Sequence, residues 1–290
     1  MDGSVEGQQV ADASDEPFRP EAFAAIRAHP AFREVVTQLA RDHLAEYGAA
    51  SPAERWLTSD LGRAALTGAA FALEAIMGGF TTAQLVQAAL ANRTCSEGRA
   101  RLYLRRARAN GFLDVDARGV HRASERMDGV LRRGLETMLR ATARCDPRLE
   151  PALQRLADRS FRRGVALHLG LNTAARPDLF NGPDKPVVLF LGRDGGARLL
   201  EQLIVAQPAG GDRLLESAPL SQRALAQGAF VSRTHVARLL ADGEAQGLLR
   251  TDGRRLVAAP ALAEDVERHY ALVLEMARVS AHAALADGGA

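Results

Sequence analysis

One helical pattern occurs twice in this chain, about half its length apart, and any fold assigned to it has to accommodate both copies. The clearer copy runs Leu220-Ser221-Gln222-Arg223-Ala224-Leu225-Ala226, continues from Val231 through Ser232, Arg233, Thr234 and His235 to Leu240, and ends in Gln246-Gly247-Leu248-Leu249 and the turn pair Asp252-Gly253. The other runs Thr82-Ala83-Gln84-Leu85-Val86, then Cys95-Ser96-Glu97-Gly98-Arg99-Ala100 to Leu104, then Asn110-Gly111-Phe112-Leu113 and a turn around Asp116 to Gly119. Each reads as helix, tight turn, helix, glycine stop and small hairpin, because apolar residues recur at helical spacing up to the glycine and turn residues follow. A shift of 136 residues overlays the copies: Ser96 falls on Ser232, Gly111 on Gly247, and Ser124, at the head of the next helix, on Pro260. The repeated unit therefore includes the helix after the hairpin, which favours a pseudo-twofold molecule over two independent beads.

Charge is distributed unevenly around this repeat. The chain as a whole carries a formal +2, which by itself says nothing about nucleic acid. From Arg93 to Arg122, however, eight arginines face Glu97, Asp114 and Asp116, a formal +5; from Val231 to Ala258 five arginines face Asp242, Glu244 and Asp252, a formal +2. Lys185 is the single lysine, so nearly all positive charge sits on guanidinium groups, a bias that G+C-rich coding produces without any functional cause. The first 16 residues carry five acids and no base.

The expected organisation is an acidic, disordered tail over 1–19, an N-terminal unit over 20–170, a linker over 171–186 and a second unit over 187–285. Within the first unit the spacing predicts a short helix over Glu21 to Arg27, a second to about Tyr47, and a third capped by Ser59 or Asp60. Helices from Thr81 or Thr82 and from Ser96 complete the repeat, and two long amphipathic helices follow, Ser124 to Arg144 and Pro147 to Leu169. In the second unit Val187 to Leu191 reads as a short buried strand, ahead of a helix over Gly195 to Ala206, and a long helix runs from Pro260 to Leu285. The fold class expected is mainly α: two three-helix cores with small hairpins, flanked by long helices.

Several other features point to no chemistry. Leu191-Gly192-Arg193-Asp194-Gly195-Gly196 looks like a phosphate-cradling loop but lacks a Gly-Lys-Ser/Thr ending and a βαβ setting, so a tight connection is expected there. The seven histidines are scattered, and no metal set, nucleophile elbow or cofactor motif is found. No catalytic residues, metal or cofactor are expected. Cys95, with Arg93 and Arg99 nearby, has the setting of a redox-sensing thiol, but its counterpart in the repeat is Val231, which favours a small buried hydrophobe. Two cysteines without pairing pattern, no apolar run near ~20 residues and no leader-like N-terminus predict a cytoplasmic protein and no membrane partner.

Over about Pro219 to Ala258, and less closely over Phe80 to Ala123, these residues resemble the MarR-like winged helix-turn-helix transcription regulators. The resemblance implies that the third helix of each unit enters the major groove of double-stranded DNA. Base or groove contacts would then fall to Ser96, Glu97, Arg101 and Arg105 in the first unit and to Ser232, Arg233, Thr234, His235 and Arg238 in the second. Phosphate contacts would fall to Arg93, Thr94, Arg99, Arg118, Arg122, Arg254 and Arg255. Family members are homodimers of shorter chains, so this chain, with both units covalently joined, is expected to act as a monomeric pseudo-dimer or as a homodimer. RNA polymerase or another transcription factor is the candidate protein partner. Two alternatives share the architecture: a plasmid replication initiator, and a tandem winged-helix subunit of a chromosome-condensing complex that binds protein instead of DNA.

Overall fold

The computed structural model describes residues 18–181, 185–208, 213–219 and 221–288; segment 1–17 of the expected tail lies outside them. The fold is mainly α, with a few small antiparallel strand pairs. Its first half contains α1 (Pro20–Ala28), α2 (Phe32–Ala49), α3 (Pro52–Leu57), α4 (Leu61–Met77), α5 (Thr82–Ala91), α6 (Glu97–Ala109), the hairpin β1 (Leu113–Val115) and β2 (His121–Ala123), and α7 (Glu125–Ala143). After α8 (Glu150–Gln154), α9 (Arg159–Ala175) and α10 (Asp178–Asn181) the order recurs: α11 (Pro186–Leu191), α12 (Gly196–Val205), β3 (Ser217–Pro219), α13 (Gln222–Ala229), α14 (Arg233–Ala245), β4 (Leu249–Asp252), β5 (Arg255–Ala258) and α15 (Pro260–Asp287). Helices α6 and α14 start and stop at positions separated by the same 136 residues read from the sequence.

Local chemistry sets these boundaries. Asp60, Thr81, Ser96, Ser124, Ser221 and Ser232 each accept a hydrogen bond from the backbone N–H three residues on, satisfying a donor the helix start leaves unpaired. Gly111 and Gly247 take left-handed backbone, φ 70° and 67°, just beyond the ends of α6 and α14.

The cores reveal an exchange between the halves. One cluster joins Val35, Val36 and Leu39 of α2 to Leu199, Leu203 and Ile204 of α12, Val236 and Leu240 of α14, and Val266 of α15. A second joins Leu66 and Phe71 of α4, Leu85 of α5, Tyr103 and Leu104 of α6, Phe112 and Met127, and takes in Ala166 of α9. Each half thus lends a long helix to the other: α2 packs on α12, and α9 packs on α4. A third cluster seals α7, α9 and α15 through Leu135, Leu139, Phe161, Val165, Ala277 and Ala281. Burying an aliphatic side chain of this size contributes about 2 kcal/mol, so neither lent helix is a loose appendage.

The structure corrects four expectations. Val187 to Leu191 is helical, not a strand: a five-residue apolar run carries no readable period, while Pro186 starts a helix readily and the buried Asp265 carboxylate accepts the Val187 N–H at 2.9 Å. The helix expected over Pro147 to Leu169 is broken into 3-10 turns at Pro147–Leu149 and Arg155–Ala157, α8 and α9, because Asp146 caps the first turn and Asp158 caps a fresh start at α9. The described part of the expected linker is largely helical, in α9 and α10. Phe18, assigned to the tail, is buried against Leu272 and Met276, with the Arg176 guanidinium 4.5 Å over its ring. Helix α3 and strand β3 went unpredicted, although Ser51-Pro52-Ala53-Glu54 is a capping box that the structure forms in full. No described helix is long and apolar enough to cross a membrane.

Candidate nucleic-acid interface

The starts of α6 and α14 are tied to one junction. Asp60, 2% exposed, caps α4 and accepts hydrogen bonds from the Arg63 N–H at 3.0 Å and from the Arg99 guanidinium, on α6, at 2.5 Å. Arg63 pairs with Asp60 at 3.1 Å and with Asp194 at 2.7 Å, and the Ser59 carbonyl accepts the Gly195 N–H at 2.8 Å, so the start of α12 meets the start of α4. Gly195, at φ 68°, has no room for a side chain: a Cβ there would lie 2.9 Å from the Ala229 carbonyl oxygen and 2.9 Å from a methyl of Val231, at the entry to α14. The Gly195-Gly196 pair is thus the tight connection expected, set where four helix ends converge.

The two third helices differ on their outward faces. On α6, Glu97 and Arg101 pair with each other at 2.8 Å, Arg99 is committed to Asp60, and Arg106 lies 5.0 Å over the Trp56 ring. Arg93, Arg105 and Arg108 are exposed and form no ion pair among the described residues. Arg93 takes left-handed backbone, φ 51°, and the corresponding turn before α14 does so at Phe230, φ 55°. In the β1–β2 hairpin Arg118 and Arg122 both lean on Asp116, at 3.8 and 3.3 Å, and Arg122 also donates to the Gly78 carbonyl at 3.0 Å.

On and beside α14, Arg233, Arg238, Arg254 and Thr234 are exposed, and the three guanidinium groups meet no partner among the described residues. Arg255 donates to the Ser217 hydroxyl at 2.8 Å and its carbonyl at 2.9 Å. Arg223, Gln227 and Arg233 border a polar notch of about 380 Å³ between α13 and α14. The 136-residue shift puts Gln87, Ala91 and Glu97 at these places in the first repeat, so the cationic notch belongs to the second alone. Sequence reading missed Arg223 and Gln227 because the side that α13 turns toward the start of α14 is set by how the two helices pack.

Five residues assigned to DNA contact have structural roles or burial that the assignment did not foresee. Arg99 points inward onto Asp60. Ser96 and Ser232 accept the backbone N–H of Arg99 and His235 as helix caps. His235 is half-buried, with its Nε2 shielded from solvent. Thr94 is half-buried too and donates its hydroxyl hydrogen to the Ala89 carbonyl at 3.2 Å. The Cys95 thiol is pushed up by burial, against a smaller lowering by Arg99, which disfavours the reactive thiolate a redox sensor needs. Among the described residues no cluster of three or more His, Cys, Asp or Glu could hold a metal ion.

No protein-family model, curated protein or solved structure matches this chain.

Proposed function

We propose that the chain is a sequence-specific double-stranded DNA-binding transcription regulator, a single-chain pair of winged helix-turn-helix units in pseudo-twofold array. In this reading α6 and α14 are non-identical recognition helices for adjacent major grooves. The observation that carries it is the set of exposed guanidinium groups of Arg223, Arg233, Arg238 and Arg254, without a partner among the described residues, on one helix-turn-helix-hairpin unit beside a junction that also fixes the start of α6. A cation left without a partner on a protein surface is available to a phosphate or to guanine O6 and N7, whereas one held by a carboxylate is not. Because the two outer faces differ, with Glu97 where the second repeat has Arg233 and Leu102 where it has Arg238, the DNA site is asymmetric.

Selection from random duplexes, followed by gel shifts across a salt series, tests this. The expected outcome is an asymmetric site and a log–log salt slope of about −4, from four phosphate contacts each releasing ~0.9 counterion. Perfect inverted repeats would overturn the asymmetry, and absence of duplex binding at low salt would overturn the function. Mapping bound sites in cells separates promoter binding from origin binding by a replication initiator.

One observation favours a second role for the first unit. Leu102 on α6 and Leu90 on α5 are 45% and 50% exposed, apolar surface that suits a protein partner such as RNA polymerase or another transcription factor. In that case only α14 reads bases, and the selected site is about half as long.

A further inference from the structure

The exchanged helices make two comparable seams, and only one is filled. Where α2 lies on α12, the seam contains Val35, Val36, Leu39, Leu199, Leu200, Leu203 and Ile204, all at most 2% exposed. Where α9 lies on α4, the 136-residue shift puts Ala64 at the place of Leu200 and Gly68 at the place of Ile204. The two large side chains that close one seam are missing from the other. What remains is a cavity of about 280 Å³, bounded by α4, α9 and the turn between α5 and α6.

Its walls are apolar, from Leu61, Ala65, Ala69, Leu73, Leu169 and Leu171, with Ile76 exposed beside them. The polar side chains on the wall are Asn92, Thr94 and Thr173, and no charged side chain lines it. The helices approach closely at Gly170, where a Cβ would lie 2.3 Å from that of Ala72, whereas a Cβ on Gly68 would meet nothing within 4 Å.

We propose that this cavity is a binding site for one neutral, mainly apolar small molecule per chain, of the size of a two- to three-ring aromatic compound. Neutrality follows from the wall, since an ion entering there would leave water with no opposite charge to meet it. Size follows from the volume, which is at the lower end of the ~300–1,000 Å³ usual for small-molecule sites and well above the ~150 Å³ that holds benzene. The occupant would touch Thr94, whose N–H is bonded to the Ala89 carbonyl at 3.0 Å and whose own carbonyl lies against Gly62 beside the Asp60–Arg99 pair. The ligand would therefore hold the entry to α6 and not the entry to α14. Binding at the cavity does not depend on the DNA reading, and its test contains no DNA.

The probe is N-phenyl-1-naphthylamine, a neutral apolar fluorophore, titrated into the full chain. The expected result is saturable binding at one dye per chain, weakened about tenfold or more by Gly68→Ile, which restores the side chain found in the filled seam. Ala64→Leu should do the same and covers the case in which Gly68→Ile fails to fold. Gly134→Leu, a comparable change on α7 where a Cβ also meets nothing within 4 Å, should leave binding as it was. Hydrogen exchange should slow on dye binding in α4, α9 and at Thr94, and not in α2 or α12. Unchanged affinity in both cavity variants, equal loss in Gly134→Leu, or protection at the α2–α12 seam would each overturn the proposal.

Discussion

The two repeats differ by three in formal charge, yet each counted segment keeps three exposed arginines with no side-chain partner among the described residues. By formal charge the first, at +5, outweighs the second, at +2. In the folded chain, Arg99 of the first repeat is taken by Asp60, Arg101 by Glu97, and Arg118 and Arg122 by Asp116. With Arg106 over the Trp56 ring, that leaves Arg93, Arg105 and Arg108; in the second repeat Asp242 is taken by Arg193 from outside the counted segment and Arg250 by Asp252, and Arg233, Arg238 and Arg254 meet no partner among the described residues. A formal count sums charges regardless of distance. The field a ligand meets depends on which charges already have a neighbour within a few ångströms.

The comparison is broken most forcefully at Asp60. Asp60→Ala leaves Arg63 and Arg99 without their buried carboxylate, and is expected to cost about 3–5 kcal/mol of folding stability, measured by urea denaturation. A cost below about 1 kcal/mol would mean that the first repeat's arginines are not held as described. Next come the free arginines. Arg233→Ala and Arg238→Ala are each expected to weaken duplex DNA binding by about 1–3 kcal/mol with the melting temperature unchanged, whereas Arg99→Ala should lower the melting temperature. If Arg99→Ala instead reduced DNA affinity more than Arg238→Ala while leaving stability intact, the division between a structural Arg99 and a DNA-facing Arg238 would be overturned.

A smaller effect separates the repeats from the scaffold that carries them. Burial raises the Asp146 carboxyl, but hydrogen bonds from Arg148 and His282 outweigh it and hold the group down from 3.8 to about 2. A lowered acid stabilises the fold when ionised, so about 2 kcal/mol is present above pH ~4 and is lost as pH falls through ~2. Asp146→Asn should remove this slope from a stability-against-pH curve without changing DNA affinity at neutral pH. The smallest effect is expected at Arg101→Ala, which breaks an exposed i,i+4 pair worth ~0.3–0.5 kcal/mol. A larger loss of stability would show that the Glu97–Arg101 pair is part of the folded frame and not a surface contact.

The repeat, its phase and most helix limits were legible because they rest on local chemistry. Ser96, Ser124, Ser221 and Ser232 cap helices within a few residues of themselves, and Gly111 and Gly247 end them by backbone geometry, so their signals survive in a linear string. The capping box at Ser51 to Glu54 was equally legible and would have located α3. Val187 to Leu191 was not, since a short apolar run fits a buried strand and a buried helix alike, and the deciding hydrogen bond comes from Asp265, 78 residues away. The free guanidinium set and the hollow seam were hidden for the same reason: both depend on partners that lie far along the chain.

The sequence by itself determined that this protein is a mainly helical chain with an internal doubling, and where the capped helices of each repeat, α6 and α14 among them, begin and stop. Only the tertiary structure decided that each half lends a long helix to the other, that Arg99 faces inward while Arg238 is exposed, and that one seam closes with leucine and isoleucine while its counterpart stays hollow. Helix periodicity and capping act over a turn or two of backbone. Ion pairing and seam filling are set by side chains brought within a few ångströms from distant positions, which no local pattern records.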